Sequence, residues 1–192
     1  EGKHDVVFTF TGKSNKDWEI TIEDDFLVDL ILRTNRLGCK DADLFMYISE
    51  AGNEVDLKAE HINQYIRASS GEGFTAKNFR TWAATSRCAE RLAFLSNTQP
   101  PQAMKKWLKS MPNVETIHKI WNGGDWESPK TEAQRSRVML AVIDTVASDL
   151  GNTRAVCRSS YIHPWFLDAW MNDTLGDAWG AVASERKIQS LS

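Results

Sequence analysis

Three short segments concentrate the residues able to do chemistry: Thr11-Gly12-Lys13, Phe74-Thr75-Ala76-Lys77-Asn78-Phe79-Arg80-Thr81-Trp82-Ala83, and Leu150-Gly151-Asn152-Thr153 through Ser160-Tyr161-Ile162-His163-Pro164. Arg80 is the side chain best suited to gripping a phosphate, because a guanidinium stays charged and offers a fixed fork of donors that matches phosphate oxygens. Lys77 lies one helical turn before it, and Arg154 and Arg158 share a face by their i, i+4 spacing. Asn152 supplies an amide that can donate to an oxygen acceptor. Tyr161 supplies a phenol; an unperturbed tyrosine has a pKa of about 10, so a nucleophilic role requires cationic neighbours. Taken one at a time, each has a plainer reading. Lys13 is a solvent-facing turn lysine, Lys77 a surface charge near a helix N-terminus, and Asn152 a C-cap or turn residue after Gly151. Arg154 and Arg158 form a solvated basic face, and Tyr161 is a half-buried structural tyrosine.

The elements that must position these groups are legible from periodicity. Val6, Phe8 and Phe10, then Trp18, Ile20 and Ile22, alternate on either side of a polar Gly12-Lys13-Ser14-Asn15-Lys16 turn, which predicts a β-hairpin over 5–22 with Lys13 at its tip. Asp24 or Asp25 caps a helix expected to run to about Leu37 and to stop at Gly38. After the apolar run Leu44–Ile48 and a Gly52-Asn53 turn, a second helix is expected over about Lys58–Ala68, followed by a loop to Gly73. Thr75 opens the longest helix of the first half, to about Leu95, with Phe79, Trp82, Ala83, Leu92 and Phe94 as buried candidates. Gln99-Pro100-Pro101 marks a boundary, one short helix is expected around Ala103–Met111, and the rest up to Pro129 reads as loop. Trp107, Trp121 and Trp126 in this region read as core. A helix over Thr131–Leu150 buries Val138, Met139, Val142, Ile143 and Val146, with Gly151 as its C-cap. Thr153 caps a short helix toward Tyr161, Pro164 opens another, and the tail from Asp173 to Ser192 reads as weakly helical and peripheral. His163 before Pro164 reads as structural.

In combination, the three segments resemble the type IB DNA topoisomerase pattern. The strings FTAKNFRTWAAT and LGNTRAVCRSSYIHP carry the resemblance, which covers roughly Val6 to Phe166 and agrees in order, spacing and residue type with the bacterial and poxvirus-like branch. It implies an α+β, mostly helical fold, that of the tyrosine recombinase and topoisomerase IB catalytic domain, with a small N-terminal hairpin or sheet. One catalytic domain would fill 1–192, divided into the hairpin (5–22), a helical catalytic core (23–166) and a C-terminal tail (167–192). The activity implied is an isomerase's: relaxation of supercoiled DNA by nicking and rejoining one strand, with no ATP, cofactor or metal. Tyr161 would attack the phosphate to leave a 3'-phosphotyrosyl link and a free 5'-hydroxyl. The resemblance assigns Lys13 as general acid to the departing 5'-oxygen, a role suited to a long donor on a projecting turn, and places Lys77 against the phosphate backbone. Arg80 becomes the clamp on the equatorial oxygens of the transition state. Asn152, nine residues before Tyr161, stands where poxvirus-like enzymes have His and bacterial relatives Asn. Arg154 and Arg158 are candidates for backbone phosphates.

The family pattern also has a first catalytic arginine and an N-terminal DNA clamp domain on segments that would precede Glu1, so the chain by itself is expected to bind duplex DNA weakly and to cleave it poorly. A tyrosine recombinase or integrase shares the fold, the hairpin lysine and the late tyrosine. Its second motif usually reads His-x-x-Arg, whereas this chain has Lys77-Asn78-Phe79-Arg80. A third reading is an inactive DNA-binding fragment of the same fold.

Composition sets the outer limits. The 192 residues are 42% hydrophobic with eight Trp and eight Phe, enough for a substantial core. No run approaches the ~18 apolar residues of a membrane span, and the first residues lack the apolar stretch of a signal peptide. Cys39, Cys88 and Cys157 are odd in number and lack CxxC spacing, which argues against a disulfide framework or zinc site and for a reducing cytoplasm, nucleoid-associated if the source is bacterial. A net charge of −3 is unusual for a partner of duplex DNA, but it is unevenly spread. Residues 1–72 hold 8 basic and 15 acidic residues, and residues 73–164 hold 13 basic and 7 acidic, so the second part carries a local basic excess. The expected partner is double-stranded DNA, bound by a monomer, without a membrane.

Overall fold

In the computed structural model, which describes residues 5–12, 15–34 and 44–189, the alternating apolar residues near the N-terminus form the expected hairpin. Strands β1 (Val6–Gly12) and β2 (Lys16–Ile22) pair antiparallel, in register from Val6 opposite Ile22 to Gly12 opposite Lys16. Thr11 Oγ1 donates across the pair to Asp17 Oδ1 at 2.8 Å, fastening the end next to the turn. Lys13 itself lies outside the described residues, as do Leu37 and Gly38, where the next helix was expected to end.

That helix, α1 (Asp25–Thr34), is capped by Asp24, whose Oδ1 accepts the Leu27 N–H at 2.9 Å. Two three-residue strands follow, β3 (Met46–Ile48) and β4 (Glu54–Asp56), paired around a turn at Gly52. Sequence periodicity left them as an apolar run and a turn, because three residues are too few to display a period of two. Helix α2 (Ala59–Ser70) then ends at Gly71. Val28 and Met46 are buried here, and Phe8 stacks on the exposed Phe45 with centroids 6.0 Å apart. These elements make up one compact unit, Glu1–Gly73.

In the second unit, Phe74–Ser192, the described residues form helices joined by loops, with one isolated bridge between Gln99 and Trp126. It contains α3 (Ala76–Leu95), α4 (Pro101–Lys109), α5 (Glu115–Ile120), α6 (Glu132–Asp149), α7 (Arg154–Ser160), α8 (Pro164–Met171) and α9 (Leu175–Gln189). The centre is α6, which buries Val138, Met139, Ala141, Val142, Ile143, Thr145, Val146 and Ala147, and packs on α3, α5, α7 and α8. Such all-round burial is the mark of a helix inside a domain rather than on its surface. Its N-terminus is fixed by a capping box: Thr131 Oγ1 accepts the Gln134 N–H at 3.2 Å and Gln134 Oε1 accepts the Thr131 N–H at 3.1 Å.

Helix α3 meets this core along Ala84, Cys88, Leu92 and Leu95. That stripe corrects the expected burial of Phe79 and Trp82, which are 61% and 75% exposed: they precede the first buried position of the stripe and face away from it. The C-terminal end of α3 is tied by Trp126, itself buried, whose Nε1 donates to the Leu95 carbonyl at 2.9 Å. Trp107 stacks on Phe94 at 4.9 Å, so these tryptophans are structural, as read from the sequence. Two further corrections concern segments taken as irregular or peripheral. Helix α5 occupies part of the expected loop and buries Ile117. The start of α9 is held in the core, with Leu175 buried and Gly176 so close to Ser96 that a Cβ there would lie 3.0 Å from the serine Cβ. The described residues are thus mostly helical with two small antiparallel sheets, in keeping with the α+β expectation.

Candidate active site

The site is assembled where the first half of α3 meets the ends of α6 and α7. Helix α3 starts at Thr75, whose backbone N–H and hydroxyl both donate to Asn78 Oδ1, at 2.9 and 2.8 Å. Asn78 is therefore occupied in fixing the helix start. Lys77 and Arg80 follow on exposed turns of the same helix.

Arg80 reaches across to the end of α6, where its Nη2 donates to the Leu150 carbonyl at 2.6 Å. That oxygen is available because α6 stops in a Schellman turn. Gly151 takes φ +67°, its N–H bonds the Ser148 carbonyl at 3.2 Å, and the Asn152 N–H bonds the Ala147 carbonyl at 2.8 Å. The partial negative charge at a helix C-terminus adds to the attraction for a guanidinium. So anchored, the Arg80 guanidinium carbon lies 5.4 Å from the centroid of the Tyr161 ring, within cation–π range.

Tyr161 is the C-cap of α7, with its N–H bonded to the Cys157 carbonyl at 3.2 Å. Thr153 starts that seven-residue helix by accepting the Val156 N–H at 3.3 Å. The turn beyond Tyr161 is closed by His163, whose Nδ1 accepts the Trp165 N–H and so caps α8, with Pro164 at its first position. His163 is thus structural, as expected. Thr85, five residues along α3 from Arg80, donates its Oγ1 to the Tyr161 carbonyl at 3.0 Å and accepts the His163 N–H at 3.0 Å.

Asn152 sits on the Schellman turn that presents the Leu150 carbonyl, and its side-chain Nδ2 is buried with no protein acceptor among the described residues. Leaving a buried amide donor unpaired costs about 1–3 kcal/mol, so this is a group with an unmet demand for an oxygen. The Asn152 backbone serves the turn, and its side chain does not.

Two further charged groups brace the end of α6. Asp149 accepts from Arg91 Nη2 at 2.6 Å and lies 3.4 Å from Arg87, while Arg91 Nη1 donates to Thr145 Oγ1 at 2.8 Å. A carboxylate in the last turn of a helix opposes the helix dipole, and the two arginines from α3 offset it. Cys157 is buried beneath the site; burial pushes its thiol up to about 11, against a lowering by Arg80. Burial, with Cys157 as neighbour, lifts the Cys88 thiol to about 12. Both stay protonated at neutral pH, so neither competes as a nucleophile.

The structure brings together Arg80 and Tyr161, and sets Asn152 two residues beyond the carbonyl that anchors Arg80. Lys77 is one turn from Arg80, on solvent. Arg154 is engaged elsewhere: its Nε donates to Asp144 Oδ1 at 2.6 Å and its Nη2 pairs with Asp144 Oδ2. Arg158 is exposed on α7. Sequence reasoning missed Thr85, the Leu150 carbonyl and the Arg87–Arg91–Asp149 group. Only the last had a signal, two arginines at i, i+4 and an acid at a helix C-terminus. Among the described residues no group of His, Cys, Asp or Glu is arranged to hold a metal ion, and no helix is long and apolar enough to cross a membrane.

Comparison with known proteins matches residues 1–170 to the family model described as eukaryotic DNA topoisomerase I, catalytic core. DNA topoisomerase 1B of Acanthamoeba polyphaga mimivirus is 26% identical over 172 residues, which cover 88% of this chain and 42% of that protein. The chain therefore spans less than half the length of the curated relative it matches.

Proposed function

The chain belongs to the DNA topoisomerase I catalytic-core family, and from that membership we propose that it carries the nick-and-rejoin chemistry of a type IB enzyme on double-stranded DNA, in the fold shared with tyrosine recombinases. Tyr161 Oη attacks the scissile phosphorus and the P–O5' bond breaks. A 3'-phosphotyrosyl ester forms, and the departing 5'-oxygen takes a proton from Lys13. The phenolic proton leaves to solvent. After the DNA has rotated, the 5'-hydroxyl attacks the same phosphorus and releases Tyr161. One phosphodiester is exchanged for another at each step, so the cycle is close to balanced in energy and needs no nucleotide hydrolysis.

The observation that carries this reading is the approach of the Arg80 guanidinium to the Tyr161 ring. A phosphate held at the Tyr161 hydroxyl would place its equatorial oxygens toward the guanidinium fork, and donors aimed at developing charge are the largest single source of such catalysis. The unpaired Asn152 Nδ2 supports it, as a donor whose missing acceptor a non-bridging phosphate oxygen would supply. Lys77 and Arg158 are exposed cations suited to flanking phosphates. Arg154 would join them only by exchanging Asp144 for a phosphate. Binding as a monomer completes the reading.

The test is covalent capture. The full-length protein incubated with nicked or suicide duplex DNA and quenched with detergent is expected to yield a DNA adduct that maps to Tyr161, and to relax supercoiled plasmid. Tyr161→Phe should fold normally and give no adduct. Specific strand exchange between paired sites, without site-tolerant relaxation, would favour a recombinase instead.

A further inference from the structure

Among the polar side chains around the site, the mechanism above leaves Thr85 without a part, yet both of its hydrogen bonds go to the turn that carries the nucleophile. Oγ1 donates to the Tyr161 carbonyl and accepts the His163 N–H, each at 3.0 Å, spanning 76 and 78 residues of sequence. These two backbone groups flank Ile162, which is buried, so the turn is pinned by the hydroxyl on one side and by apolar packing on the other. Within α7, the Tyr161 main chain is held by the last turn of a seven-residue helix, and its ring packs against the core. A helix that short is marginal by itself and takes its position from what it packs against.

Thr85 lies on α3, the helix that also carries Arg80. A single hydroxyl therefore joins the backbone of Tyr161 to the element that holds the clamp. It adds a main-chain tie to the contact between Arg80 and the Tyr161 ring and to the packing of Tyr161 against the core. We propose that Thr85 is a positioning residue for the nucleophile, fixing the Tyr161 main chain to α3 so that the phenol is held in line with the phosphorus that Arg80 grips. The proposal rests on the reading of Tyr161 as nucleophile. Thr85 touches no reacting atom; its effect passes through the Tyr161 and His163 backbone.

Two substitutions separate the hydroxyl from the side chain's bulk. Thr85→Val keeps the shape and removes both hydrogen bonds, and Thr85→Ser keeps the hydroxyl. In the full-length protein, Thr85→Val is expected to lower the single-turnover rate of adduct formation by about 10- to 100-fold, the scale of a misplacement of about 1 Å, with DNA affinity within about twofold of the parent. Thr85→Ser is expected to recover most of the rate. A substrate with a 5'-bridging sulfur, whose leaving group needs no proton, should not rescue Thr85→Val, because the defect lies on the attacking side. Independently of activity, amide exchange at His163 should accelerate about tenfold or more in Thr85→Val while Trp170, in the core of α8, is unchanged.

An unaltered rate in Thr85→Val, equal loss in Thr85→Ser, rescue by the sulfur substrate, or unchanged exchange at His163 would each overturn the proposal. If the unmodified protein forms no adduct at all, the topoisomerase reading fails by itself, and the exchange at His163 still decides whether the hydroxyl pins the turn.

Discussion

Replacing Arg91 by Met tests the brace beneath the clamp. The Arg91 side chain is 12% exposed and that of Asp149 13%, and two hydrogen bonds would be lost, one to the Asp149 carboxylate and one to the Thr145 hydroxyl. Removing one partner of a buried ion pair costs about 3–5 kcal/mol, mostly because the other charge is left uncompensated. Here Arg87 remains 3.4 Å from the same carboxylate oxygen but is half-exposed, so its compensation is partial and the expected loss falls to about 2–4 kcal/mol. Methionine keeps much of the aliphatic volume, which confines the effect to charge and hydrogen bonding. Urea unfolding of Arg91→Met, Asp149→Asn and the double variant forms a cycle. The double variant should be more stable than the sum of the two single losses by about 1–3 kcal/mol. Asp149 directly precedes Leu150, whose carbonyl anchors Arg80, so Arg91→Met should also slow adduct formation, by about tenfold at a temperature where the protein remains folded. A single-variant loss under about 0.5 kcal/mol, or strict additivity, would refute the reasoning that this pair is desolvated and coupled.

Arg80→Lys keeps the charge and loses the fork that serves the Leu150 carbonyl and a phosphate together, so adduct formation should fall about 10²- to 10³-fold while DNA affinity changes little; equal rates for the two proteins would contradict the clamp. Asn152→Ala should move activity and stability in opposite directions. The rate drops, yet the protein gains up to about 1 kcal/mol because an unpaired buried amide is gone; a stability loss would mean the side chain already has a partner. The buried thiols give a pH prediction. A thiol whose folded pKa lies above its ordinary value ionises more easily when unfolded, so stability is held below about pH 9 and falls as pH rises toward the folded values of about 11 for Cys157 and about 12 for Cys88. Cys88→Ala/Cys157→Ala should flatten that alkaline loss in thermal melts, and an unchanged slope would refute the assignment.

How much of this was legible in the sequence depends on the range of the signal. Hairpin 5–22, the start of α3 at Thr75, the end of α6 at Gly151 and the start of α8 at Pro164 were all local, written in alternation, caps and a glycine that takes positive φ. Arg80 and Tyr161 were identified by type and by family resemblance, and the fold brings them together. The contacts that make the site rigid were not legible. A threonine hydroxyl that bonds a carbonyl 76 residues away has no signature in its neighbourhood, and an arginine does not announce that it will anchor on a main-chain oxygen. The misplaced burial of Phe79 and Trp82 has the same origin. Periodicity finds an apolar face, but the point along α3 at which that face enters the core is set by where α6 and α8 lie, which is tertiary information. Lys13, the general acid of the proposal, falls outside the described residues, and its role rests on the resemblance.

Leu150 does two jobs with two separate parts of itself. Its side chain packs against the interior, whereas its carbonyl oxygen faces the guanidinium of Arg80. Every amino acid carries that same oxygen, so the anchor is indifferent to the identity of residue 150 provided the turn keeps its shape. Exchange among aliphatic residues at this position would then register as a change in melting temperature and leave the chemistry alone. Gly151 inverts the relation: it contributes nothing to the interior, and a branched residue there would forfeit the left-handed backbone that aims the oxygen. Neighbouring positions in one turn would thus answer to different selective pressures, one to packing and the other to conformation.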